Sequence, residues 1–182
     1  MITASVKKKE NIAEYLLYMW QIEDLIRANG LDIDKIQESI IDKYNNLSDE
    51  QRKEMRDWYE SLIDMMRREG VVDKGHLQIN KNVIIQLDDL HHQLLNNEKF
   101  ASYSAQFYHT LPIIVELRAK AGDNKVGEIE TCFNALYGIL LLRLQGKDIS
   151  EETKQATAQI SKFLAVLAMY YKKDYNNELF TE

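Results

Sequence analysis

The stretch NIAEYLLYMWQIEDLIRANG, from Asn11 to Gly30, decides the fold class. At about 100° per residue, Ile12, Tyr15, Leu16, Met19, Ile22 and Ile26 fall on one face, as in an amphipathic helix packed against a core. Glu23 falls inside the same arc, with Trp20 one turn before it and Arg27 one turn after. A charge in an apolar stripe must be paired or carry a desolvation cost. The stretch therefore sets two expectations: a helical protein, and a polar anomaly worth locating.

The rest of the chain extends the helical reading. One proline and seven glycines in 182 residues leave few breaks, which suits long helices better than strands and turns. Gly30, Gly70, Gly75, Gly122 and Gly146 stand where the periodicity stops, as C-terminal caps do. Gly138 lies deep inside a helical run and reads as the close crossing of two helices.

The first helix is expected from about Lys8 to Asn29. The second runs from Asp32 to Asn45, with Ile33, Ile36, Ile40, Tyr44 and Leu47 on a narrow apolar face. Ser48, with Gln51 three positions on, predicts a capping box for the third. That helix turns Met55, Trp58, Tyr59, Leu62, Met65 and Met66 inward and ends at Gly70. A fourth spans His76 to Asn96. The fifth begins near Glu98, with Pro112 expected to kink rather than break it, because the apolar stripe continues in phase to Ile114. The sixth starts at Asp123 or Asn124 and reaches Gln145. Its segment CFNALYGILLLRL is apolar nearly all round, so it is expected to be the central, most buried helix. Ser150 caps the last helix, which ends between Tyr171 and Tyr175, and the tail 176–182 is expected to be mobile. The fold class is all-α: a single domain over 1–182, a bundle of six to seven helices in antiparallel or partly orthogonal packing.

Composition narrows the function classes. A net charge of -6 argues against a nucleic-acid binder, whose affinity comes from neutralising phosphates. The basic clusters Lys7–Lys9, Arg67–Arg68 and Lys172–Lys173 read as solvated helix ends. Cys132 stands alone, which excludes an intramolecular disulfide and a cysteine-rich zinc site. The apolar run after the N-terminal lysines is interrupted by Glu14 and followed by Gln21, Glu23, Asp24 and Arg27, unlike a secretion signal. Ala135 to Leu142 is too short to span a bilayer. A cytoplasmic, soluble protein with no membrane contact is expected.

Catalytic and cofactor signatures are sparse. Asp88 with His91 and Asp89 with His92 share the carboxylate-x-x-His spacing of di-metal bundles, but no second such motif occurs. His91 falls at the rim of its stripe, while His92 and Asp89 point away. Cys132, in the most apolar helix, should behave as a small hydrophobe with a raised pKa. No nucleophile elbow, phosphate loop, zinc-protease motif or dinucleotide fingerprint is present, so no cofactor, resident metal or catalytic residue is expected.

What remains is polar residues on apolar faces. Glu23 and Arg27 are joined by Glu130 and Asn134 on the sixth helix and by Arg118 at the end of the fifth. With Trp20, four of these (Glu23, Arg27, Glu130 and Asn134) form the candidate ligand-binding set. The same residues also fit an ion-pair cluster holding helix register, or a partner interface.

The run IAEYLLYMWQIEDLIRAN, Ile12 to Asn29, resembles the opening of a bacterial family labelled domain of unknown function 4924. Trp20, Glu23, Asp24 and Arg27 carry that resemblance. It implies a soluble, all-helical bacterial protein and brings no activity or catalytic set. The leading expectation is a non-catalytic protein that binds a partner or a second copy of itself, using its ten tyrosines, two tryptophans and six methionines for contacts. The alternatives are a small-molecule binder or enzyme with an interhelical pocket around Glu23, Arg27 and Glu130, and a metal-binding bundle using Asp88 to His92.

Overall fold

A computed structural model describes residues 2–122 and 126–179, except for the side chains of residues 2 and 3. Among these the chain forms eight α-helices and two short 3-10 turns, with no strand. The helices are α1 (Ile2–Glu10), α2 (Ile12–Ala28), α3 (Ile33–Ser39), α4 (Asp49–Arg68), α5 (Gln78–Leu95), α6 (Ala101–Lys120), α7 (Glu128–Leu144) and α8 (Glu151–Tyr175). The expected count of six to seven is low by one or two, for a local reason. Asn11 interrupts the predicted first helix: its side-chain Oδ1 accepts the Ala13 N–H at 3.1 Å, an N-cap that starts α2 afresh and leaves α1 as a separate helix.

The second predicted helix is also shorter than expected. Asp32 caps α3 by accepting from the N–H groups of Asp34 and Lys35. A 3-10 turn at Ile41–Lys43 then replaces the last helical turn. Arg52 of α4 donates to the carbonyls of Ile41 at 3.1 Å and Tyr44 at 2.7 Å, so those acceptors are satisfied without a continued helix. The capping box of α4 is present in full, Ser48 and Gln51 each closing on the other's backbone. α6 runs unbroken through Pro112. The expected start of the next helix at Asp123 or Asn124 lies outside the described residues, and α7 begins at Glu128 after Gly127. Of the expected mobile tail, residues 180–182 also lie outside the description. Residues 176–179 follow α8 through a turn in which the Glu178 N–H donates to the Lys173 carbonyl.

The chain divides into two compact units, one of Met1–Glu10 and Glu14–Asn82, the other of Asn11–Ala13 and Val83–Glu182. In the first, α3, its following 3-10 turn and α4 pack together, and Leu16, Met19, Ile26, Ile36, Met66 and Leu77 are buried. In the second, α6, α7 and α8 pack pairwise around Tyr103, Phe107, Ile114, Ile129, Phe133 and Phe163.

α7 departs from its expected place as the most buried helix. Its first half is buried through Ile129, Cys132, Phe133 and Tyr137, but Leu140, Leu141 and Leu142 are half-buried and Leu144 is 70% exposed. An all-round apolar helix carries more apolar surface than the neighbours on its packed side cover. Gly138 is no close crossing either: a Cβ built there meets no atom within 4 Å.

Candidate functional site

Glu23 is fully buried on α2, and both of its oxygens are occupied. Oε1 accepts from the backbone N–H of Leu77 at 2.9 Å and from Asn80 Nδ2 at 2.7 Å; Oε2 lies 2.6 Å from His76 Nδ1. The imidazole stacks on Trp20, ring centroids 4.2 Å apart and planes 12° from parallel. These contacts join α2 to the entry of α5, where the first N–H groups have no partner within their own helix. Glu69, the C-cap residue just after α4, takes the next donor, accepting the Gln78 N–H at 2.6 Å. Two carboxylates, one from α2 and one from the end of α4, thus cap one helix start, where its dipole also favours negative charge.

Arg27, one turn after Glu23, does not close on it. Its Nη1 donates to Asp24 at 2.8 Å, and its Nη2 donates to the carbonyls of Val71 and Gly75. Gly75 has a φ of +87°, a conformation that favours glycine. Arg27 therefore holds the turn that delivers His76 to Glu23. Trp20, Glu23 and Arg27 act together on the segment from Val71 to Leu77.

The other two members of the expected set lie elsewhere in the chain. Glu130 is half-buried and Asn134 exposed, both on α7 in the second unit. Arg118, half-buried on α6, has its Nη1 3.9 Å from Glu128. In the first unit, Leu31, Asp32, Asp64 and Arg67 line a groove of about 610 Å³, and Met19, Trp58, Leu62 and Ile79 line a pocket of about 160 Å³. Trp20, Glu23 and Arg27 line neither.

The histidine pair on α5 diverges. His91 is fully buried rather than at the rim of its stripe; its Nδ1 is 2.6 Å from the Tyr103 hydroxyl, and its ring packs edge-on against Phe107 and Phe163. Its Nε2 has no hydrogen-bond partner and faces Glu128 at 3.6 Å. Burial, reinforced by neighbouring His92 and opposed by Asp88, lowers its pKa to about 4. His92 instead turns its Nδ1 to the Asp88 carbonyl at 2.8 Å. No group of three metal-ligating side chains occurs among the described residues. Cys132 is buried, and desolvation, with a smaller contribution from Glu128, raises its thiol to about 12.

One surface feature went unread in the sequence. α6 carries its core residues Tyr103, Phe107, Thr110 and Ile114 on one side. On the opposite side, Ala105, Tyr108, Pro112, Val115 and Ala119 are exposed, with Leu111 half-buried at the edge. Tyr108 is 62% and Val115 56% exposed; none of the six is charged, and the exposed Glu116 beside Ala105 and Pro112 is paired with Lys120 at 2.6 Å. The signal was present in the helical wheel, but the larger core-facing residues dominate it.

The fold and these features define an all-helical protein with a buried polar clamp and an uncharged strip along one helix. The chain belongs to the family described as domain of unknown function (DUF4924), whose profile matches residues 1–178. No curated protein and no solved structure matches it. Among the described residues no helix is long and apolar enough to cross a membrane.

Proposed function

We propose that this chain is a non-catalytic protein that works by binding a partner, and that a second copy of the chain docks on the outer face of α6. The observation that carries this reading is the exposed, uncharged strip Tyr108, Pro112, Val115 and Ala119 on that face, with the adjoining Glu116 neutralised by Lys120 at 2.6 Å, in a chain of net charge -6. Two such copies repel each other over most of their surfaces. A contact about a two-fold axis sets each patch against itself, so an uncharged patch avoids adding like-charge pairs at the contact. Pro112, lacking an N–H, also leaves the Tyr108 carbonyl without its usual helical donor on this side.

The size of the face sets the strength. The stripe from Ala105 to Ala119 is about 22 Å by 10 Å, so each copy covers on the order of 200 Å² in flat projection. Standard interfaces bury about 800 Å² per partner, so a weak, concentration-dependent dimer is expected, with a dissociation constant in the micromolar range or above.

Glu23 and Arg27 support the same non-catalytic reading. The Glu23 oxygens already accept from, or lie against, three groups at the start of α5, and Arg27 is engaged by Asp24 and the turn. Sedimentation velocity tests the proposal, run from low micromolar to several hundred micromolar protein. The expected result is a sedimentation coefficient that rises with concentration and stays at the monomer value in Tyr108→Lys and Val115→Lys, with helical content unchanged. A monodisperse monomer throughout the range, or variants that associate like the parent, overturns it.

A further inference from the structure

We infer that the apolar pocket between α1, α2, α4 and the start of α5 is a binding site for a small carboxylate carrying a single ring. The pocket has a volume of about 160 Å³. Its inner part is formed by Met19 and Leu62, both buried, and its outer part by half-buried Trp58 and partly exposed Ile79. An engineered apolar cavity of roughly 150 Å³ stays dry and takes up benzene, so one six-membered ring matches the space here. The flat face of Trp58 suits an aromatic ring, with an offset-stacked or edge-on contact adding to the area buried.

The carboxylate is argued from the residues at the mouth. Lys8 of α1 lines the pocket and is exposed. Its ammonium sits 5.5 Å from the centroid of the Tyr15 ring and has no carboxylate partner among the described residues, whereas neighbouring Lys7 is paired with Glu14 at 3.3 Å. Tyr15 also lines the pocket, and burial with the nearby Glu23 raises its pKa, so at neutral pH it remains a phenol. The site thus pairs an apolar interior with one cation at the rim. That arrangement favours a ligand with an apolar body and a single negative end over a neutral ring or a bare anion. Phenylacetate has this form.

The test uses the full chain and phenylacetate, with acetate and benzyl alcohol as ringless and uncharged controls. Binding is read by calorimetry and by the change in tryptophan emission, with Trp58→Phe leaving only Trp20, which does not line the pocket, and so removing that change. Phenylacetate is expected to bind saturably and more tightly than either control. Lys8→Met, an exposed substitution that leaves folding intact, should weaken it roughly three- to fivefold, the worth of one exposed charge pair. Ile79→Trp, which fills the outer part of the pocket, should abolish it. No saturable heat with phenylacetate, equal binding of either control, or affinity unchanged in either variant overturns the assignment.

Discussion

Glu23 supplies from another helix the acceptors that the first turn of α5 lacks. Its removal therefore leaves more than a missing contact: the Leu77 N–H, Asn80 Nδ2 and His76 Nδ1 all lose their partner. Glu23→Ala is expected to destabilise the chain by roughly 3–5 kcal/mol, the range for removing one partner of a buried charged group. Glu23→Gln should cost less, because its remaining oxygen still accepts from α5. Urea denaturation of the three proteins checks the order, and a loss below 1 kcal/mol for the alanine variant would contradict the clamp. His91 makes a second prediction at this scale. Its pKa falls from the ordinary 6.5 to about 4 in the folded chain, because burial disfavours the imidazolium. Between those values the unfolded chain binds a proton that the folded chain refuses, so stability is full above pH 6.5 and declines as pH drops towards 4. The total loss is on the order of 3 kcal/mol. Carboxylates titrate in part of the same window, so the expected measurement is a difference: His91→Gln loses less stability than the parent between neutral pH and pH 4.5.

At the scale of elements, local chemistry was legible wherever a helix end is settled by neighbours in sequence. Ser48 with Gln51 and the Ser150 cap were both readable, and both are present. Asn11 was readable in principle as a cap, but the apolar periodicity on either side masks it. The end of α3 was not readable, because Arg52 reaches back across eight to eleven positions to take the carbonyls. Burial of Glu23 followed from its place in the stripe, whereas its partners are 53 to 57 positions away. Only tertiary packing selects those partners, and proximity along the helix, which places Arg27 one turn away, carries no information about them. Gly138 shows the same limit in reverse. A glycine inside a helix reads as a close approach, yet here a Cβ meets nothing within 4 Å. Gly138→Ala should therefore raise stability by about 0.5–1 kcal/mol, since alanine loses less backbone entropy in a helix. A rise in the urea midpoint checks this, and a fall would show that the position is crowded after all.

At the scale of the whole molecule, the sign of the salt dependence separates the proposed self-association from one held by ion pairs. Each copy carries a net charge of -6, while the strip Tyr108, Pro112, Val115 and Ala119 of α6 carries none and Glu116 beside it is paired with Lys120. Bringing two copies together therefore gains from apolar contact and loses to long-range repulsion between the remaining surfaces. Added salt screens the repulsion, with a Debye length that shrinks from about 30 Å at 0.01 M to about 10 Å at 0.1 M, and leaves the apolar gain in place. Association through this face should thus strengthen as sodium chloride is raised over that range. A dimer joined by salt bridges, through Lys7 to Lys9 or Arg67 and Arg68 for instance, would weaken over the same range. Sedimentation at a fixed protein concentration reads the difference directly. The Tyr108→Lys variant sharpens it: the added cation lowers the net repulsion, so any association that persists in it, and weakens with salt, would place the contact away from α6.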